Sequence, residues 1–301
     1  FGRSISVTRQ FFQYCATLRH AQYNRVYDLQ GLMRSGFLTS VTGAKRRVGF
    51  ADARELSWLG CNVRHHVDSG PQTIDRMLGL IEADGVPAQA DMRLYVGEAD
   101  RQWWQAEMER HDVEAGRYLV IAPTTKWLSK RWPIERFAEV ARTLCPSRFS
   151  AVVVVGGPNE HDQVGAWLND ADGEPMPIVN MVGRTRVGQM MAIIDQAGLL
   201  ISNDSAALHF AVGLATRAVG LYGATDPAKV GPYRYDDAVV EPMTQDPAEP
   251  KRQVARYREK DLDDRWMRMI TVDQVLERVE RIMQLPPPRT GYDDAKDDAD
   301  G

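Results

Sequence analysis

Two hydrophobic periods divide this chain. Over 1–20, Ile5, Phe11, Phe12, Cys15 and Leu18 fall at helical spacing. A short strand is expected at 26–29, running into Asp28-Leu29-Gln30-Gly31, and a helix at 32–40. Lys45-Arg46-Arg47 reads as a basic turn before a short strand ending at Phe50. Amphipathic helices are expected at 72–84 and 99–114. Together these make a first α/β domain. It opens on a helix rather than a strand, so its front is expected to be missing.

From 117 the pattern changes. Apolar runs at 117–122, 151–155, 178–182, 199–201 and 218–221 read as strands of a parallel sheet covered on both faces. Helices are expected at 134–144, with Pro133 at the first helical position, at 161–168, at 187–197, and from Asp204 through His209. Alternating strands and helices imply a doubly wound parallel sheet. Residues 235–265 are polar and irregular. A last helix at 272–283 is stopped by the prolines at 286–288, and the acidic tail beyond is expected to be disordered. The expected division is 1–115, 116–270, a C-terminal helix at 271–284 and a tail at 285–301.

A length of 301 residues suits two domains of roughly 150 residues each. A hydrophobic fraction of 44% and a charged fraction of 26% are those of a soluble protein, and a net charge of −4 argues against a general nucleic-acid binder. No apolar run reaches the ~18–20 residues of a membrane span, and no signal peptide is expected. Cys15, Cys61 and Cys145 lack metal spacing and read as reduced thiols in a cytoplasmic protein. His65-His66 completes no metal set, and neither HExxH, a CxxC pair, GxSxG nor a P-loop occurs. No metal, cofactor or covalent nucleophile is expected. Absence of GxGxxG at the start of either domain disfavours a nicotinamide dehydrogenase.

The chemistry concentrates in loops after the strands of the second domain, where ligands of such sheets lie. Asp204-Ser205 precedes a helix whose N–H groups suit phosphate oxygens, with His209 one turn along. Capping of that helix by Asp204 is the plain alternative. Thr124-Thr125-Lys126-Trp127-Leu128-Ser129-Lys130-Arg131 sets hydroxyls and cations before another helix, a composition suited to a diphosphate. Gly156-Gly157 permits close backbone approach, and Glu160 is placed to accept ribose hydroxyls. Lys45-Arg46-Arg47 reads equally as a solvated turn or as a contact for an anionic acceptor or lipid surface. The chain thus reads as a handler of a phosphorylated, polyol-bearing small molecule.

In this order the segments resemble glycosyltransferase family nine, the ADP-heptose:lipopolysaccharide heptosyltransferases. The resemblance rests on YDLQGLMRSG (27–36), AKRRVGF (44–50), APTTKWLSKRWPIERF, VVGGPNE, MVGRT, NDSAALHFAVGL and LYGATDPAKVGPY. It implies a GT-B fold, two Rossmann-like doubly wound domains facing across a cleft. It also implies inverting, metal-independent transfer of a heptose from an ADP-sugar to a lipid-linked inner-core sugar at the inner membrane surface. Carried over, Thr124 and Thr125 look like phosphate contacts, Lys130 like the diphosphate cation and Glu160 like the ribose acid. Asp204 would hold heptose hydroxyls, and Ser205, Ala206 and His209 would line phosphate and sugar. Ala206 stands where many members have Gly. The family's S-x-G-D loop, which carries its proposed base, has no counterpart here, so no base is identified. A nucleotide-sugar-binding protein without turnover, and a GT-B transferase with another donor, stay open.

Overall fold

The computed structural model describes residues 5–290 except 69, 146, 170–172, 175 and 244–262. The chain divides into two compact units, 1–90 and 91–301.

The first unit runs α1 (Ile5–His20), β1 (Arg25–Asp28), α2 (Met33–Thr42), β2 (Arg46–Phe50), β3 (Val63–His65) and α3 (Thr73–Ala83). Its three strands are parallel in the order β1-β2-β3, and Val48, Phe50 and Leu80 form its small core. The turn after β1 is closed by the buried Asp28, whose Oδ1 accepts N–H bonds from Gln30 (3.1 Å) and Gly31 (3.0 Å). Gly31 sits at φ 64°, a left-handed angle that glycine takes without strain. α2 ends at Gly43 in the same way, at φ 65°.

The expected basic turn is corrected here, because Arg46 and Arg47 begin β2 and both are engaged. Arg47 donates to the carbonyls of Ala44 and Gly60. Arg46 clasps Asp84, whose side chain has no exposed surface. Tyr27 Oη (3.0 Å) and His65 Nε2 (3.2 Å) also reach this carboxylate. The Arg46 guanidinium foremost holds Asp84 well below the usual carboxylate range, against the cost of burial. A depressed pKa stabilises above the unfolded value of ~3.9 and loses that effect as pH falls toward the folded value. Asp84→Asn should therefore cost ~1–3 kcal/mol at pH 7, from lost bonds between charged groups. In urea titrations the gap from wild type should narrow below about pH 4; a gap unchanged at pH 3 would contradict this role.

The second unit begins with α4 (Glu98–His111), followed by β4 (Tyr118–Ala122), α5 (Ile134–Leu144), β5 (Ala151–Val154), α6 (Gly165–Leu168), β6 (Ile178–Asn180), α7 (Val187–Asp195) and β7 (Leu199–Asn203). Then come α8 (Ala206–Gly213), β8 (Ala218–Leu221), α9 (Pro227–Val230), β9 (Val239–Val240), α10 (Arg265–Arg268) and α11 (Val272–Gln284). All six strands are parallel, in the order β6-β5-β4-β7-β8-β9. Every residue of β4, β5, β7 and β8 is buried, which their unbroken apolar runs foretold. α5 buries Phe137, Ala138, Val140, Ala141 and Leu144 on one stripe. α11 starts at a capping box in which Thr271 and Gln274 bond each other's backbone N–H, and it buries Val275, Val279 and Ile282.

Several expectations are displaced. The boundary expected at 115/116 lies at 90/91, because α4 packs on α7 and buries Trp104 and Met108 in the second core. α11, set apart in the sequence reading, belongs to that same unit. Pro133 is the cap before α5 rather than its first residue, and 161–168 divides into a 3-10 turn and α6. Within 235–265, Val239–Val240 forms the edge strand, while 244–262 lies outside the described residues. Of the tail expected to be disordered, 285–290 is held: Leu285 O accepts from Arg217, and the buried Thr290 accepts at its carbonyl from Met92 N (2.8 Å). Residues 291–301 lie outside the described residues. Cys15, Cys61 and Cys145 are all free, and burial pushes the thiols of Cys61 and Cys145 up to about 11.

Candidate active site

Strand order fixes where a ligand can lie. From β4 the chain winds outward through β5 to β6, whereas from β7 it winds the other way through β8 to β9. The direction reverses between the paired neighbours β4 and β7, and a crevice opens beyond their carboxyl ends at such a reversal. The loop 123–133 leaves β4 there, and Asp204-Ser205 leaves β7.

Lys130 and Asp204 meet across this reversal. Lys130 Nζ donates to Asp204 Oδ2 at 2.6 Å, and Thr225 Oγ1 donates to the same oxygen at 2.6 Å. The Lys130 and Asp204 side chains are only 13% and 7% exposed, so the pair is screened little by water. Asp204 does not cap α8, which corrects the plainer sequence reading. Ser205 is the N-cap residue, and its side chain makes no capping bond. Its Oγ instead lies 2.9 Å from Ser202 Oγ. The first turn of α8, from Ala206, therefore offers N–H groups that lack intrahelical acceptors, at the positive end of its dipole.

Thr124 and Thr125 are buried at the foot of the neighbouring loop. Thr125 N donates to Gln163 Oε1 (3.1 Å), and Thr125 O accepts from Arg131 Nε (3.0 Å). Thr124 packs against Gly156, where an added Cβ would stand 2.6 Å from Thr124 Oγ1. Gly156→Ala should cost ~1–3 kcal/mol by overpacking and push that hydroxyl out of place. Thermal melts and ADP titration check this; unchanged values for both would refute the contact.

Glu160 is half-buried and folds onto its own loop, its Oε2 accepting from Gly157 N at 2.7 Å. His209 is pushed below its ordinary value, chiefly by burial; Asp204 pulls it up and Lys130 pushes it down. A neutral imidazole at pH 7 is the consequence.

The second unit thus brings Lys130, Asp204 and the start of α8 together, with Thr225 as a member that the sequence reading did not single out. Asn203 and Gln163 were likewise missed. Their only signal was position, at a strand end and after a Gly-rich turn. Lys45, Arg46, Arg47 and His65 belong to the first unit, where His65 is spent on Asp84. Among the described residues no three His, Cys, Asp or Glu side chains are grouped to hold a metal ion, and no helix is long and apolar enough to cross a membrane.

Known proteins share this fold. The family model "glycosyltransferase family 9 (heptosyltransferase)" matches residues 11–259. The lipopolysaccharide core heptosyltransferase OpsX of Haemophilus influenzae is 27% identical over 226 residues, covering 74% of this chain. That match spans 63% of OpsX, short of two thirds of its length. A family 9 glycosyl transferase from Veillonella parvula superposes with a TM-score of 0.73 at 21% identity, over 90% of this chain and 77% of that one. The E. coli heptosyltransferase WaaC with ADP gives 0.68 at 21% identity, over 93% and 79%. The fold they share is GT-B. With the family model spanning most of its length, this chain belongs to glycosyltransferase family 9.

Proposed function

We propose that this chain is a glycosyltransferase that moves a heptose from an ADP-sugar to a lipopolysaccharide inner-core acceptor. The observation that carries the reading is the Lys130–Asp204 pair beside the open first turn of α8, at the reversal of strand order. The pair sets side by side the two kinds of group this ligand needs, a cation for phosphate oxygens and a carboxylate that accepts from sugar hydroxyls. In this reading the donor's diphosphate takes over Lys130, and heptose hydroxyls take over Asp204. Thr124, Thr125, Ser205 and the N–H of Ala206 complete the phosphate contacts. Glu160 turns from Gly157 to the ribose, and the neutral His209 lines the sugar.

An acceptor hydroxyl then attacks the anomeric carbon from the face opposite the diphosphate. The new carbon–oxygen bond forms as the bond to phosphate oxygen breaks, ADP leaves with the electron pair, and the centre inverts. Fixed donors aimed at that developing charge are the catalytic machinery, in the place where other transferases use a metal. The acceptor's proton passes to a base; none of the residues above is assigned that role.

The test is incubation of the chain with ADP-heptose and a lipid A acceptor bearing inner-core sugar, read by mass spectrometry and anomeric NMR. One added heptose with inverted configuration is the expected product. Donor binding without any added sugar would replace this reading by that of a binding protein. The E. coli heptosyltransferase WaaC, which shares this fold, is known with ADP, and that supports this donor class.

A further inference from the structure

The loop that carries Thr124, Thr125 and Lys130 is closed at its base by one side chain. Asn203 ends β7 and is completely buried. Its Nδ2 donates to Pro123 O at 2.6 Å, and its Oδ1 accepts from Trp132 N at 3.2 Å. A carbonyl on one side and an N–H on the other leave a single orientation for the amide. Pro123 follows the last residue of β4, and Trp132 stands just before the cap of α5. One amide on the neighbouring strand therefore spans both ends of loop 123–132, and the next residue, Asp204, grips Lys130 within it. Two further bonds fix the loop's second half: Trp132 Nε1 donates to Ile270 O (2.9 Å) and Arg131 to Thr125 O. The loop's entry at Pro123 is tied down by Asn203.

We propose that Asn203 is a positioning residue, whose amide sets the loop so that Lys130 and the two threonines converge on the donor diphosphate. Its bracing of the loop stands on the geometry alone. Its effect on donor affinity rests on the function proposed above.

The experiment is amide hydrogen exchange by mass spectrometry on the full chain, paired with calorimetric titration of ADP. The variants are Asn203→Ala, Asn203→Asp and the control Val279→Ala, which opens the buried face of α11. Asn203→Asp keeps an acceptor for Trp132 N but sets a carboxylate oxygen against Pro123 O. Both Asn203 variants should speed exchange in 124–132 by at least ~tenfold while α11 keeps its protection. Both should raise the ADP Kd by at least ~fivefold, since the buried Pro123 O loses its donor in each. Val279→Ala should loosen α11 and leave loop exchange and ADP affinity unchanged. Unchanged exchange in 124–132, or a rise spread evenly over the second unit, overturns the proposal. If the wild-type chain binds no ADP, the donor reading fails, and the exchange result by itself decides whether Asn203 braces the loop.

Discussion

Lys130→Ala lowers turnover or ADP-sugar affinity at least ~tenfold, a floor on the 10²–10³ typical of losing one preorganised charge-stabilising group. The ammonium is the cation that the structure sets against Asp204, beside the open turn of α8. Removing it has a second effect, because Asp204 is 7% exposed and loses its cationic donor while keeping the Thr225 hydroxyl. A carboxylate so deprived destabilises by ~3–5 kcal/mol when fully buried, and by less here, where some water reaches it. The two effects are separable. Lys130→Ala combined with Asp204→Asn removes the stranded charge and should recover most of the stability. It should not recover donor affinity, since the diphosphate still lacks its cation. Melting temperature and ADP Kd across the four proteins of this cycle read both couplings. Wild-type affinity in Lys130→Ala would remove this residue from the donor site.

Trp104→Ala destabilises the second unit by ~3–5 kcal/mol. The indole is fully buried, packs edge-on against Tyr118 at 5.7 Å between ring centres, and donates from Nε1 to Tyr118 Oη at 2.9 Å. Tyr118 Oη in turn donates to Ile193 O at 2.6 Å, so α4, β4 and α7 are tied by one chain of bonds. Burial drives the Tyr118 hydroxyl well above its ordinary value, so it stays a donor at every working pH. Truncation leaves a cavity the size of an indole and one lone pair of Tyr118 without its donor. Trp104→Phe fills most of that cavity and should cost nearer ~1 kcal/mol, about the worth of one hydrogen bond. Urea denaturation gives both values. A cost under ~1 kcal/mol for the alanine variant would contradict the placing of α4 in the second core.

What could be read from sequence follows from where each signal resides. The strands 118–122, 151–154, 199–203 and 218–221 carry their burial in their own composition, so their existence and order along the chain were legible. The same holds for α5 and α11, whose apolar stripes are strong. The partnership of α4 was not legible: Trp104 reaches its partners on β4 and α7, and nothing between 98 and 111 names them. Arg46 reads as part of a basic turn until Asp84, 38 residues on, is seen to hold it. At the site, Lys130, Thr124 and Asp204 announced themselves as charges and hydroxyls in loops after strands. Asn203 and Thr225 did not, because their work is to hold other residues through contacts 80 and 21 positions away. Asp204 as a helix cap was the plainer alternative that local pattern offered. It lost to two long-range donors that local pattern does not show.

Calorimetric titration of ADP-heptose into the 301-residue chain, with ADP and a UDP-sugar alongside, tests the central claim most directly. The account predicts ADP-selective binding that Lys130→Ala weakens at least ~tenfold. No binding to any of the three, or equal binding of the ADP- and UDP-sugars, would contradict it.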